Sequence, residues 1–302
     1  MLAHSAAKEN IPALKGTAGW AKQPADKANL LASTFSAKAT LPAECANEFS
    51  AIAASESRMD RFLRIRVRDA YKILRDLDAS SGTGPDLLPA KVLKVCASQL
   101  AVPVALLSRL CLRDGRWPSC GRNHWIHPLH KRLSRANPEN YRGVHLTAQL
   151  SKVVERTVGG TFVQWLADNR VGDRQYAYSR QRSHRDVLAV NVCSWLLLWE
   201  SGHSVGLYCS DVAGAFDRVR RERLVEKLRA SGLPDDVVNF LASWLEERVS
   251  RVVVAGGSSE NEWLFGSFFP RCCTWTCFVE LVLFGCLLGG ESAWIHRNNL
   301  YG

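Results

Sequence analysis

The chain has 302 residues, of which 47% are apolar and 23% are charged. This composition excludes a wholly disordered chain, and the length allows a core in one or two domains. The net charge is +10, and much of it lies between Arg109 and Arg156, where ten Lys or Arg against three Asp or Glu give a local net charge of +7. Such a block is typical either of a surface that binds polyanions or of an ordinary solvated basic face.

Cysteine usage and the apolar stretches indicate the compartment. Ten cysteines occur without a C-x-x-C pair, which predicts reduced and mostly buried thiols in an intracellular protein. Residues 1–15 lack the apolar centre of a secretory signal, and nucleus and cytoplasm are not distinguished. The apolar stretch 272–288 contains Glu280 and is shorter than the roughly 20 residues that span a bilayer, so no membrane association is expected.

The first third of the chain is predicted to be helical beyond a weakly structured start. Residues 1–60 are rich in Ala, Ser and Lys, with one short helix possible near 28–35. Apolar spacing predicts an amphipathic helix over 60–78 and a helical region over 89–112. A break is expected before Pro103, because its ring cannot continue the hydrogen-bond ladder.

A hairpin is predicted next. Residues 125–131 and 141–146 are expected to be extended, and the turn at 137–140 joins them, so that the hairpin carries Lys131 and Arg142. The same segment holds three histidines at a spacing of three, His124, His127 and His130. Zinc binding is an alternative for them, but residues at this spacing on a strand point to alternate faces.

The second half alternates helices and short strands. Helices are expected over 148–169, 185–200, 218–230 and 235–248, and strands over 204–210 and 251–255. The helix over 185–200 is expected to be anchored in the core by Leu188, Val192, Leu196 and the tryptophans Trp195 and Trp199. These tryptophans, like Trp165, are interpreted as core residues rather than base-stacking platforms.

The run YCSDVAGAFDRV at 208–219 is the strongest candidate for chemistry. Asp211 ends an apolar strand, small residues follow it, and then come Phe216 and a second acid, Asp217. Small residues let a substrate approach, and an acid beside them can hold a divalent metal. The alternative is that Asp211 only ends the strand and Asp217 only caps the following helix.

The order of motifs around this run resembles that of reverse transcriptases of the non-LTR (LINE-type) retrotransposon class. The matching segments are Gly84-Pro85-Asp86 with Pro89, Trp125 to Lys131 (W-x-x-P-x-x-K), Asn140 to Leu146 (NYRGVHL), Ser151 to Arg156 (SK-x-x-ER), Gln175 to Ser183, Asp211 to Val219 (D-x-x-x-AFD-x-V), and Leu245 with Arg248. Any one segment is weak evidence, but the colinear set over about residues 18–264 is specific.

The resemblance implies a set of residue roles. Asp211 is expected to be a catalytic metal ligand for Mg²⁺, together with the carbonyl of Val212. Phe216 is expected to lie under the sugar and disfavour a ribose 2′-hydroxyl. Lys131 and Arg142 are expected to bind the incoming triphosphate, because phosphoryl transfer depends on charge neutralisation and positioning. The implied activity is RNA-directed DNA polymerisation, with an RNA template, a DNA primer and deoxynucleoside triphosphates as partners.

The implied fold class is α+β, with the fingers and the first half of the palm of a right-hand polymerase, and helices packed on a small antiparallel sheet. The expected divisions are an N-terminal extension at 1–60, a fingers-like region at 61–200, a partial palm at 201–265 and an unassigned apolar, cysteine-rich tail at 266–302.

Several departures from the family pattern stand beside the resemblance. Gly143 replaces a proline beside Arg142, and the middle motif reads Ala177-Tyr178 in place of Gly-Phe. After Phe265 neither the Q-G segment nor the Asp-Asp pair appears, and no aspartate follows Asp236. These features predict a truncated or frame-disrupted copy. The alternative function is a catalytically inactive remnant that still binds nucleic acid.

Overall fold

The computed structural model describes residues 11–17, 19–39, 59, 64–170, 176, 183–207, 221–246, 248–260 and 262–263, and they form a mixed α+β structure. The helices are α1 (Pro24–Ala39), α2 (Val67–Arg75), α3 (Ala90–Val95), α4 (Ala97–Arg113), α5 (Gln149–Arg170), α6 (His184–Glu200), α7 (Arg221–Ala230) and α8 (Asp235–Leu245). The strands are β1 (Leu14–Gly16), β2 (Gly19–Ala21), β3 (Asn123–His130), β4 (Tyr141–Thr147), β5 (Val249–Val254), β6 (Gly257–Ser258) and β7 (Glu262–Trp263).

The main sheet has the strand order β4-β3-β5, and β6 and β7 both pair with β5. Strands β3 and β4 form an antiparallel hairpin, as predicted, with His124 opposite Thr147 and His130 opposite Tyr141. Strands β3 and β5 are parallel, with Trp125 beside Arg251. The expectation of an entirely antiparallel sheet is therefore wrong. The described residues between β4 and β5 include four helices, α5 to α8, and a long helical crossover is what a parallel pairing requires.

Buried apolar side chains form two separate clusters. The larger cluster is helical and draws on α2, α3, α4, α5, α7 and α8. The smaller one lies between α1 and the main sheet, and it includes Leu31, Ile126 and Val252. The expectation that helices pack on the sheet thus applies to α1, whereas the helices of the larger cluster pack mainly on one another. The larger cluster also spans the division proposed at residue 200, since Phe162 and Leu228 both belong to it.

Residues 11–39 correct the expectation of a weakly structured N-terminal extension. They form the β1–β2 hairpin and a 16-residue helix, α1. The buried residues Ala28, Leu31 and Ala32 recur at helical spacing and face the sheet. Small alanines supply much of this buried stripe, so the hydrophobic pattern in the sequence is faint. The remaining residues of the predicted extension lie largely outside the described ranges.

Two helical predictions need a correction of their bounds. Helix α2 occupies only the later part of the predicted 60–78 segment. The predicted break before Pro103 is wrong, because α4 continues through Pro103 and the break lies at Cys96. A helix-internal proline forfeits a backbone hydrogen bond. Here α4 buries residues on both sides of it, Ala101 and Val104 among them, and this packing offsets the loss.

Helix α6 forms where predicted, but its packing differs. Its N-terminus has a capping box, in which Ser183 and Asp186 each accept from the other's backbone N–H. None of its residues is buried, and Trp199 is 61% exposed, so the prediction that this helix is anchored in the core is wrong for the described residues. The strand predicted over 204–210 is absent from its described part, residues 204–207.

Within the described ranges no helix is both long and apolar enough to cross a membrane. The apolar stretch 272–288 lies outside those ranges. Four described cysteines are free thiols, and only Cys111 is buried; Cys120 and Cys193 are exposed, so the prediction of mostly buried thiols is wrong for this set. Burial raises the pKa of the Cys111 thiol to about 11, which keeps it protonated and unreactive at neutral pH.

Candidate nucleic-acid interface

The β3–β4 hairpin brings the two predicted triphosphate-binding residues together. Arg142 on β4 is directly opposite Leu129 on β3. Lys131 is the first residue after β3, and its backbone N–H donates to the carbonyl of Asn140 at 2.9 Å. Since side chains alternate along a strand, Lys131 lies on the same side as Leu129 and diagonal to Arg142, about 7–8 Å away across the strands. Both side chains are exposed.

The turn that joins the two strands is held by side chains of the Asn-Tyr-Arg motif. The Asn140 amide donates to the carbonyl of Ser134 at 2.8 Å, and the Tyr141 hydroxyl donates to the carbonyl of Arg135 at 2.7 Å. The Asn137 side chain accepts from the backbone N–H of Glu139 at 2.9 Å. These bonds fix the turn and therefore the register that places Lys131 diagonal to Arg142.

The main sheet presents two different faces. One, the covered face, is packed against α1 and consists of the buried or half-buried residues His124, Ile126, Pro128, His130, Tyr141, Gly143, His145, Thr147, Ser250, Val252 and Val254. The other, the open face, consists of Trp125, His127, Leu129, Arg142, Val144, Leu146, Val249, Arg251 and Val253. No residue of the open face belongs to either apolar cluster of the described chain.

Arg251 is a candidate binding residue that the sequence did not reveal. It is exposed on β5, and the parallel pairing puts it beside Trp125 on the open face. The sequence VSRVVV does not show which side of β5 is buried, because valines lie on both sides and Ser250 is on the buried side. The partner strand and its register are not encoded locally, so no local pattern places Arg251 near the hairpin.

Two histidines on the covered face lie beside the buried Arg248: His124 is buried and His145 is half-buried. The rings of His124 and His145 lie 5.1 Å apart between centroids. Burial and the positive charge of Arg248 lower the pKa of His145 to about 3. Burial, His145 and Arg248 lower the pKa of His124 as well. His127 lies on the open face, which confirms that the three predicted histidines alternate between the two sides of β3.

Glu155 and Arg248, which belong to two of the family-like motifs, both contact Trp244. The Trp244 indole N–H donates to Oε1 of Glu155, from the SK-x-x-E-R segment, at 2.9 Å. The guanidinium of Arg248 lies 3.8 Å from the centroid of the Trp244 ring, and its Nε donates to the Trp244 carbonyl at 2.8 Å. All three residues are buried. This arrangement joins α5 to the end of α8 and to the start of β5, and so holds β5 beside the hairpin.

The Gly-Pro-Asp segment packs on the end of β4. A Cβ atom at Gly84 would lie 2.5 Å from the backbone of Thr147 and Ala148, so no larger residue fits without a backbone shift. The Gln149 amide also donates to the carbonyl of Gly82. Burial raises the pKa of Asp86 in the same segment. The glycine is therefore required by close backbone approach, and the segment fixes the junction between β4 and α5.

Asp211, Val212 and Phe216, the predicted metal and sugar contacts, lie outside the described residues. In the described part of the chain, no three or more His, Cys, Asp or Glu side chains are grouped as a metal site. The described site is thus a set of cations on an open, partly apolar sheet face, which is suited to phosphate groups and bases.

Comparison with known proteins gives one relationship. No protein-family model matches the chain. The chain is 26% identical over 190 residues to a protein described as a probable RNA-directed DNA polymerase from transposon BS of Drosophila melanogaster. The similarity covers 61% of this chain and 20% of that relative, so the chain spans about a fifth of the relative's length. This similarity supports a relationship with reverse transcriptases, the class that the ordered motifs indicate.

Proposed function

We propose that the chain derives from a reverse transcriptase of the non-LTR retrotransposon class and forms its fingers and the first half of its palm. The observation that carries the proposal is the β3–β4 hairpin, which holds Lys131 and Arg142 together on one exposed face. The similarity to a transposon RNA-directed DNA polymerase supports it. The ancestral reaction is RNA-directed DNA polymerisation from deoxynucleoside triphosphates on an RNA template with a DNA primer.

In this proposal the hairpin binds the incoming triphosphate. Arg142 supplies a planar guanidinium that matches a phosphate group with two parallel hydrogen bonds, and Lys131 supplies a compact charge for a neighbouring phosphate. The turn bonds of Asn140 and Tyr141 hold the backbone that carries the two cations before the ligand arrives. A turn that is ordered in advance avoids the entropy cost of ordering this loop on binding.

The proposed metal ligands are Asp211 and the carbonyl of Val212, and Phe216 is the proposed sugar contact. A bound Mg²⁺ would neutralise charge on the triphosphate and orient it for in-line attack. These roles rest on the motif resemblance, because the three residues lie outside the described ranges.

We further propose that the coding register is lost near Phe265. The motivating observations are the change to a Cys-, Trp- and Phe-rich composition, with only four charged residues from 266 onward, and the absence of aspartate after Asp236. The test is translation of the underlying DNA in its two other frames. Recovery of a Q-G segment followed by an Asp-Asp pair is expected, and failure of both frames to give them contradicts frame disruption.

The second candidate function is an inactive nucleic-acid-binding remnant. The specific observation that favours it is the same absence of later aspartates, because two-metal chemistry requires carboxylates that converge on ions about 3.5–4 Å apart. In this case the hairpin and the open face still bind phosphates and bases, but no nucleotide is transferred.

A primer-extension assay with the purified full chain separates these functions. The chain is incubated with a labelled primer on an RNA template, deoxynucleoside triphosphates and Mg²⁺ or Mn²⁺, beside an Asp211→Asn control. Extension that Asp211→Asn abolishes establishes polymerisation by this chain. Template–primer binding with a steep salt dependence but no extension establishes the remnant. Absence of both binding and extension in a cooperatively folded sample contradicts both functions.

A further inference from the structure

We infer that Trp125 and Arg251 form a binding site for one nucleotide of a single-stranded nucleic acid. This site lies at the opposite end of the open face from Lys131 and Arg142. The inference rests on the proposed function, because it takes the open face as the surface that binds nucleic acid. It adds a strand-binding contact that is distinct from the triphosphate contact.

The geometry comes from the register of the parallel strands. Trp125 on β3 and Arg251 on β5 are direct partners, so their side chains lie on the same face at the interstrand spacing of about 4.8 Å. Arg251 is exposed and Trp125 is half-buried. An indole ring provides a stacking surface for any base, and a guanidinium beside it donates to the phosphate of the same or the next nucleotide.

The charge of the open face selects the class of partner. Its described strand positions include Arg142 and Arg251, and none of them is an acid. A face with positive charge at both ends and no carboxylate among these positions is complementary to a polyanion.

The apolar residues between the cations favour an unpaired strand over a duplex. Leu129, Val144 and Leu146 are only half-buried and form the floor of the open face. A duplex presents its phosphates and hides its base faces, so it would leave these side chains against water. A single strand exposes its bases, which can pack on Trp125 and on the apolar floor while its phosphates contact the arginines.

The length of the face accommodates several nucleotides. From Trp125 to Leu129 the strand rises about 13 Å at roughly 3.3 Å per residue. Stacked nucleotides rise about 3.4 Å each, so about four of them span this distance. One strand can therefore contact Arg251 and Arg142 at the same time.

The charge contribution is tested by salt-dependent binding. The full chain is titrated into a fluorescent oligothymidylate of about 15 nucleotides, and anisotropy gives the affinity at a series of KCl concentrations. Arg251→Gln is expected to lower the slope of log affinity against log salt by about 0.7, the value for one lost phosphate contact on a single strand. Arg113→Gln is the matched control, because Arg113 is exposed on α4 and pairs with Asp114. Equal slopes for the two variants contradict the inference.

The stacking contribution is tested with abasic strands. Replacing several bases by abasic sites is expected to weaken wild-type binding about 10-fold, because one stacked base contributes on that order. Trp125→Leu keeps an apolar side chain on β3 but removes the ring, so its preference for the intact strand over the abasic strand is expected to be several-fold smaller than that of wild type. Wild-type affinity that is the same for both strands contradicts the inference, and so does a 10-fold preference retained by Trp125→Leu.

The same samples separate this inference from the proposed function. Binding of a deoxynucleoside triphosphate is measured for the Lys131→Gln/Arg142→Gln variant and for Arg251→Gln. If the hairpin variant loses triphosphate binding while Arg251→Gln and Trp125→Leu leave oligonucleotide binding intact, the inference fails and the proposed function stands. If the hairpin variant also leaves triphosphate binding intact, the proposed function fails. Tighter binding of a blunt duplex than of the single strand assigns the face to duplex and contradicts the inference.

Discussion

The covered and open faces of the main sheet come from alternate residues of the same three strands, but they differ in every physical property. On β5, Val252 is 1% exposed beneath α1, whereas its neighbour Arg251 is exposed. The covered face holds the buried His124, the half-buried His145 and an apolar cluster. The open face holds arginines, a tryptophan and half-buried aliphatic side chains.

This difference separates stability from binding. The covered face is expected to determine the free energy of unfolding, and the open face is expected to determine affinity for nucleotides and nucleic acid. A substitution on one face should therefore leave the property of the other face unchanged, except at Tyr141, whose hydroxyl holds the turn that positions Lys131 and Arg142. The four predictions below test this separation, from the largest expected effect to the smallest.

The largest effect on affinity is expected from substitution of the hairpin cations Lys131 and Arg142. Lys131→Gln/Arg142→Gln removes both cationic contacts to phosphate, so triphosphate affinity is expected to fall about 100-fold. The free energy of unfolding should stay within about 0.5 kcal/mol of wild type, because both residues are exposed. Isothermal titration calorimetry and urea unfolding measure the two quantities. A loss of stability that matches the loss of affinity would show that the two residues support the fold rather than contact phosphate.

Adjacent valines on β5 give a matched test of the two faces. Val252→Ala deletes two buried methyl groups beneath α1 and is expected to cost about 2–3 kcal/mol of unfolding free energy. Val253→Ala makes the same deletion at a half-buried open-face position and is expected to cost less than about 1 kcal/mol. Chemical denaturation of both variants provides the comparison. Equal costs would show that the open face is as tightly packed as the covered face.

The covered face is also expected to make the protein acid-sensitive. The pKa of His145 is lowered to about 3 in the folded chain, against about 6.5 unfolded. Between these values the unfolded chain binds a proton that the folded chain excludes, so stability falls as the pH drops below about 6.5, by up to about 1.4 kcal/mol per pH unit. Below about pH 3, the pKa of His145 in the folded chain, this histidine causes no further loss of stability.

His145→Gln removes this titration. Between pH 7 and pH 5 the variant is expected to lose about 2 kcal/mol less stability than wild type. Urea unfolding at the two pH values measures the difference, and His184→Gln, at an exposed position at the start of α6, is the control. An identical pH dependence for His145→Gln and wild type would show that His145 is not held neutral.

The smallest effect is expected at the turn of the hairpin. Tyr141→Phe removes the hydroxyl that donates to the carbonyl of Arg135, at a cost of about 1 kcal/mol. Because this bond helps to fix the hairpin register, triphosphate affinity should fall a few-fold as well. Denaturation and calorimetry measure the pair of effects. Unchanged triphosphate affinity together with lowered stability would show that Tyr141 contributes only to the packing of the covered face.

The sequence predicts local elements better than it predicts their partners. The β3–β4 hairpin was predicted correctly because turn residues lie between two extended segments, and its register then follows from the turn. The parallel pairing of β3 with β5 was missed, because nothing near Arg251 encodes a partner more than a hundred residues earlier in the chain. The same limit explains α6, whose periodicity predicts a helix but does not specify what it packs against.

Small residues account for two other differences between the sequence-based predictions and the structure. The alanines of α1 form a buried stripe that a hydrophobic pattern barely registers, so only a short helix near 28–35 was expected in an otherwise weakly structured segment, whereas α1 spans Pro24–Ala39. Gly84 was recognised as part of a motif, but only the structure explains the glycine, through its close approach to Thr147. The roles predicted for Asp211, Val212 and Phe216 stay predictions.

The most direct test of the open face as a nucleic-acid surface is the salt dependence of oligonucleotide binding by the variant Lys131→Gln/Arg142→Gln/Arg251→Gln. The expected slope is lower than that of wild type by about 2, roughly 0.7 for each lost phosphate contact, at an unchanged free energy of unfolding. A slope equal to that of wild type in a stably folded triple variant would contradict binding of nucleic acid by the open face.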